Sequence, residues 1–197
     1  MLPPVIKNLL IINLICWLAT MVLERNGIMI PGMLALHPIG YGFGIWQPFT
    51  YMFLHASFSH LFFNMFSLWM FGYVLENLWG SKRFLWFYIL CGLGAAALNL
   101  VIGLFGWGGI TVGASGAIYG VLLAFGMMFP NEYIYLYFLM PIKAKWFILG
   151  FVVIELLEGV FGSGDGMAHF AHLGGMLAGF IYIKLWQRRE KRKYFNN

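Results

Sequence analysis

Long apolar stretches alternate with short polar or glycine-rich breaks along this sequence, at residues 5–23, 60–79, 84–104, 114–129, 145–161 and 168–187. A helix rises ~1.5 Å per residue, so ~20 apolar residues match the ~30 Å hydrocarbon core of a bilayer. Each stretch therefore predicts a membrane-spanning helix. Gly80-Ser81-Lys82-Arg83 reads as a polar turn, residues 106–109 as a glycine loop, and residues 162–166 as a flexible acidic loop. No basic region precedes the first stretch and no cleavage site follows it, so it reads as a span rather than a signal peptide. Residues 25–59 form a long first loop, rich in Gly, Pro and aromatics, expected at the membrane interface. The run 133–140 is too short to span and also reads as interfacial.

Composition agrees with that pattern. Of 197 residues, 61% are hydrophobic and 10% charged, against ~45–50% and ~25% in ordinary soluble domains. The expectation is an all-α membrane protein, one six-helix domain over residues 1–197, without room for a separate soluble unit. Cys16 and Cys91 lie inside apolar runs, so neither a disulfide framework nor a metal cluster is expected, and no cofactor. The net charge of +5 comes mostly from residues 188–193, which suits a membrane surface better than nucleic acid. With the N-terminus inside, Lys7, Lys82, Arg83, Lys143, Lys145, Lys184 and the C-terminal cluster all face the cytoplasm, and Arg25 faces outward. The positive-inside rule then puts both termini in the cytoplasm.

That topology collects polar groups at one depth. The second, fourth and sixth stretches all begin outside, and their first turns carry His60 and Asn64, Ser115, and His169 with His172. Polar groups within a bilayer are costly and normally functional. Ser115 stands in Gly113-Ala114-Ser115-Gly116, where the flanking glycines allow a tight turn and a close approach. A serine in a membrane helix ordinarily bonds back to its own backbone; a nucleophile needs a base within reach. His172 is the better candidate for that base, since His169 lies nearer the surface. His172, Gly175 and Gly179 share one helical stripe, Gly116 and Gly120 another, and small-residue stripes let helices approach closely. His60 and Asn64, at i and i+4, share a face and offer donors for an oxyanion. Tyr119 lies one turn after Ser115, placed to pack on the imidazole. Asp165 is on a loop, Glu155 and Glu158 lie in the fifth stretch, and no carboxylate is evidently a third member, so the simpler reading is a Ser-His dyad.

These residues resemble the rhomboid intramembrane serine proteases. The family pattern reads here as His60-Leu61-Phe62-Phe63-Asn64, Gly113-Ala114-Ser115-Gly116 and Ala171-His172-Leu173-Gly174-Gly175, in the family's order. The resemblance implies Ser115 as nucleophile, His172 as general base, and His60, Asn64 and the Ser115 amide as the oxyanion hole. Tyr119, Gly113 and Gly116 are implied as supporting residues. It also implies single-span transmembrane proteins as substrates, a multi-pass place in the bacterial cytoplasmic membrane with the site open to the outer side, and the prokaryotic six-helix form. The family's first-loop Trp-Arg pair stands here as Trp46-Gln47, and Glu76 matches a position at the inner end of the family's second helix that caps or braces the first loop or helix contacts. Two other readings are a catalytically inactive relative that binds transmembrane helices and a small transporter. The sequence shows no internal repeat of the kind transporters carry.

Overall fold

The chain starts its first helix on a carboxylate borrowed from far along the sequence. In the computed structural model, which describes residues 1–107, 109–136, 139–161 and 167–195, helix α1 spans Pro4–Arg25 with Pro4 in its first turn. Its first amides have no partner within the helix. Buried Glu76 supplies one: Oε1 accepts from the Val5 N–H at 2.9 Å and Oε2 from the Ile6 N–H at 2.8 Å. Ser81 Oγ donates to the same carboxylate at 2.7 Å. A negative charge at a helix N-terminus is favourable, and a hydrogen-bonded one can be buried. This is the brace expected of Glu76, and its partner is the start of α1.

The first loop is built rather than loose. It holds two single-turn helices, α2 (Pro31–Leu34) and α3 (Gln47–Thr50), and a 3₁₀ turn at Tyr51–Phe53. Where the family pattern has arginine, Gln47 is 1% exposed. Its Oε1 accepts from the His37 N–H at 3.0 Å, and its Nε2 donates to the carbonyls of Gly42 (3.0 Å) and Met33 (3.4 Å). A neutral amide thus fastens the loop through backbone partners, with no ionic network at this position. Thr50 Oγ1 and Trp46 Nε1 add bonds to the carbonyls of Leu34 and Met33.

The next helices are α4 (Phe58–Ser67), a π-helical turn at Leu68–Gly72, α5 (Tyr73–Trp79) and α6 (Ser81–Gly103). Ser57 caps α4: it is extended, and its Oγ accepts from the His60 N–H at 3.1 Å. Gly80 separates α5 from α6 with φ +80°, a conformation that suits glycine. Helix α7 (Ser115–Met128) follows, then strands β1 (Tyr133–Leu136) and β2 (Met140–Lys143), α8 (Ala144–Phe161) and α9 (Met167–Phe195).

The protein is mostly helical, with one departure from the all-α expectation. The run read as too short to span contributes β1, paired antiparallel with β2 from Tyr133↔Lys143 to Leu136↔Met140. Tyr133 and Tyr135 are exposed and Ile134 is buried, the period-2 alternation of a strand. Among the described residues, three helical segments are long and apolar enough to cross a membrane: Pro4–Arg25, Phe58–Trp79 and Ser81–Gly103. Helix α8 carries Lys145, Glu155 and Glu158, and α7 has only 14 residues. Ile11, Ile15, Leu18 and Val22 on α1, and Leu85, Trp86 and Leu90 on α6, lie exposed. Large apolar side chains displayed in rows along long helices suit lipid rather than water. The protein is an integral membrane protein.

Candidate active site

Small residues decide which polar side chains can meet. Helices α6, α7 and α9 form the tightest part of the core. A methyl group on Gly174 would lie 2.7 Å from the Gly94 carbonyl oxygen, and one on Gly120 would lie 3.0 Å from that of Gly175. On Gly175 it would strike the Gly116 carbonyl, and on Gly116 it would strike Ala95. The glycine stripes of α7 and α9 therefore face each other with backbone against backbone. Ser115, in the first turn of α7, and His172, in the second turn of α9, come together across this contact.

Ser115 Oγ lies 2.8 Å from His172 Nε2. The imidazole lies flat on the Tyr119 ring, with centroids 4.1 Å apart and planes 8° from parallel. Phe151 of α8 packs edge-on against Tyr119, at 5.7 Å. The ring of His172 therefore keeps one orientation, with Nε2 toward the serine.

His60 and Asn64 of α4 line the same cavity of about 320 Å³ as Ser115, Gly116, Tyr119 and His172. Asn64 is buried, yet its Nδ2 has no hydrogen-bond partner among the described residues. A buried amide donor left unpaired costs roughly 1–3 kcal/mol, so it is a donor waiting for an acceptor in the cavity. His60 is held over Gly113, where φ is +122° and an added methyl would lie 2.8 Å from the His60 ring. Gly113 also donates its N–H to the Tyr51 carbonyl at 2.9 Å, and Tyr51 Oη donates to the Gly92 carbonyl at 2.8 Å. These bonds fix the entry into α7. The Ser115 amide, in the first turn of that helix, has no intrahelical acceptor.

The structure also places a carboxylate beside the histidine, which residue spacing did not make evident. Glu155 of α8 is 4% exposed, and its Oε2 lies 3.0 Å from His172 Nδ1. The same oxygen is 2.7 Å from His169 Nδ1. The His169 contact is an aligned hydrogen bond, while the His172 contact is close but off the N–H direction. The Tyr119 side chain faces the same carboxylate. Residue spacing gave no hint of this, because α8 and α9 are separate helices whose rotation decides the contact. The available signal was an acidic residue in an apolar helix, which needs a partner. Glu158, on the same helix, is exposed. Asp165 and the acidic loop 162–166 lie outside the described residues. Glu155, His169 and His172 offer three potential metal-ligand atoms within 4.8 Å of one another, with Glu155 already in contact with both imidazoles.

Comparison with known proteins adds a lineage to this geometry. The family model described as Rhomboid domain matches residues 42–189. The chain is 32% identical over 183 residues to RHOMBOID-like protein 1 of Arabidopsis thaliana, covering 88% of this chain and 45% of that protein. It is 36% identical over 156 residues to RHOMBOID-like protein 6, mitochondrial, of the same plant, covering 77% and 48%. To rhomboid protease GluP of Bacillus subtilis it is 29% identical over 141 residues, covering 69% and 25%. The chain thus spans about half, or less, of the length of these relatives.

Proposed function

The chain belongs to the rhomboid family, and on that premise we propose that it is an intramembrane serine endopeptidase that hydrolyses peptide bonds of single-span transmembrane proteins. The observation that carries the reading is the 2.8 Å contact between Ser115 Oγ and His172 Nε2, at a cavity that also holds an unpaired Asn64 amide. A nucleophile within reach of its base, beside a free donor, is the minimum constellation for acyl transfer.

In this mechanism Ser115 Oγ attacks the scissile carbonyl carbon while His172 Nε2 takes its proton. The oxygen of the tetrahedral intermediate faces the Asn64 amide, the His60 ring and the Ser115 N–H. Collapse of that intermediate breaks the C–N bond, and His172 returns the proton to the leaving amine. A water molecule, activated by the same histidine, then hydrolyses the acyl-enzyme. No metal or cofactor enters these steps. Gly113 and Gly116 serve by letting His60 and α6 approach the serine.

The membrane arrangement belongs to the same proposal. Six helices cross, namely α1, α4 continued through α5, α6, α7, α8 and α9, with both termini cytoplasmic and the site open to the outer side. At ~1.5 Å per residue, α7 is only ~21 Å long against a ~30 Å hydrocarbon core, so Ser115 is recessed and reached through a water-holding cavity. A substrate helix must unwind locally before its peptide bond is accessible. Small or helix-breaking residues near the outer surface are therefore favoured at the cleavage site.

Labelling the purified protein with a fluorophosphonate probe tests the chemistry. Wild type is expected to label and to cleave a single-span substrate in liposomes, while Ser115→Ala and His172→Ala remain folded and do neither. Wild type that fails to label yet captures transmembrane helices would leave the inactive binder as the reading. Substantial cleavage by His172→Ala would shift the base to His169.

A further inference from the structure

We propose that Glu155 is a positioning residue for the general base, so that the working unit is a Ser115–His172–Glu155 triad rather than a dyad; the inference rests on the serine-protease reading above. The first observation is cost. Glu155 is buried in α8, between residues that the reading places inside the bilayer. An ionised carboxylate there is expensive unless paired and hydrogen-bonded. Its surroundings are the partners such a group requires: two imidazoles, from His169 and His172, and the Tyr119 hydroxyl.

The second observation is direction. His172 presents Nε2 to the serine and Nδ1 to Glu155. Which nitrogen carries the proton in neutral imidazole is set by the hydrogen bond made by the other. A carboxylate accepts only, so its position favours the proton on Nδ1. That leaves Nε2 with a lone pair toward Ser115, the tautomer a general base needs. When Nε2 takes the serine proton, the resulting imidazolium lies 3.0 Å from a carboxylate oxygen. Glu155 keeps its charge throughout and no proton passes to it. Hydrogen bonds of this kind are commonly long or poorly aligned before substrate binds and tighten in the Michaelis complex.

His169 anchors the arrangement. Its Nδ1–H, one helical turn before His172 on α9, donates to Glu155 Oε2 of α8 at 2.7 Å. Tyr119 then touches both members of the pair, stacking on the imidazole and facing the carboxylate. The placement of Glu155 is over-determined in a way that packing alone does not require. Glu158, three residues on and exposed, has none of these partners among the described contacts.

The test uses the full chain in detergent micelles and in liposomes. Glu155→Gln keeps the shape and removes the charge. In soluble serine proteases, neutralising the carboxylate behind the histidine lowers kcat about 10⁴-fold, and here a fall of about 10²–10⁴ is expected with KM within about twofold. Fluorophosphonate labelling should slow in parallel, and Glu155→Asp should recover part of the rate, since it restores the charge. A second measurement does not depend on the variant folding: nitrogen NMR of labelled histidine in the wild-type protein should find the His172 proton on Nδ1 at neutral pH. A proton found on Nε2, or Glu155→Gln that labels and cleaves within about threefold of wild type, would overturn the proposal while leaving the dyad intact. A wild-type protein that does not label at all removes the protease reading and this proposal with it.

Discussion

The imidazole of His172 rests on the ring of Tyr119, with centroids 4.1 Å apart and planes almost parallel. Stacking of this kind is worth ~0.5–1.5 kcal/mol beyond area burial. Its value here is orientational, since a ring held flat cannot swing Nε2 away from Ser115. Tyr119→Phe keeps the stack and should retain activity within about threefold, whereas Tyr119→Leu loses it and should cost about tenfold in kcat or more. Equal activities of the two variants in a cleavage assay would show that the stack is only packing.

Asn64 and His60 are expected to act on turnover rather than binding. Removing one oxyanion donor typically costs ~10²–10³ in kcat. Asn64→Ala and His60→Ala should each fall in that range with little change in KM, measured by steady-state cleavage of a transmembrane substrate. Because the Asn64 amide is buried without a partner among the described residues, Asn64→Ala should not lower the melting temperature. A pure KM effect would make the pair a substrate-binding or structural feature.

Gly175 is expected to fail as alanine in an informative way. The added methyl strikes the Gly116 carbonyl, so α9 must move away from α7 and take His172 from Ser115. Misplacement by about 1 Å can cost ~10² in rate. Labelling by a fluorophosphonate should drop by about that factor, in a protein that still folds in detergent. Labelling at the wild-type rate would mean that the helix contact has slack.

Gln47 should prove structural. Its amide meets three backbone groups of the first loop while buried. Gln47→Leu leaves those groups unpaired, at roughly 1–3 kcal/mol for a buried polar group. The expected outcome is a lower melting temperature and faster proteolysis within residues 26–57, with the Ser115–His172 chemistry intact in the folded fraction. An unchanged melting curve would show that the loop is held elsewhere.

Acid should loosen the first loop through His55. Burial, aided by neighbouring His60, pushes its imidazole down to about 4, against ~6.5 in an unfolded chain. Between those values the unfolded state binds more protons than the folded one, so stability falls as pH falls. The contribution of His55 is complete above about pH 6.5 and is lost, by about 2–3 kcal/mol, on going down to pH 4. Melting temperatures across that range should decline for wild type and decline less for His55→Leu. Parallel curves for the two proteins would assign the acid sensitivity to other groups.

The sequence by itself determined the class and singled out the polar residues that the structure gathers at one cavity. The reason is solvent: in a bilayer each helix must be a long apolar run, so run length reports helices and the few polar residues stand out. His60, Asn64, Ser115 and His172 were visible for that reason, and they line or border one cavity in the structure. The glycine stripes were visible too, since a missing side chain at helical spacing marks a close approach. What faces what was decided by tertiary structure alone. Glu76 reaches amides about seventy residues earlier in the chain, Gln47 makes three neutral bonds to loop backbone where the family pattern has arginine, and Tyr133–Leu136 pairs as a strand with Met140–Lys143. None of these leaves a periodic trace, because each depends on where a distant backbone group lies. Glu155 is the sharpest case. Its sequence neighbours mark it only as a carboxylate in an apolar helix; the rotation of α8 against α9 puts it behind His172, and no one-dimensional spacing encodes that rotation.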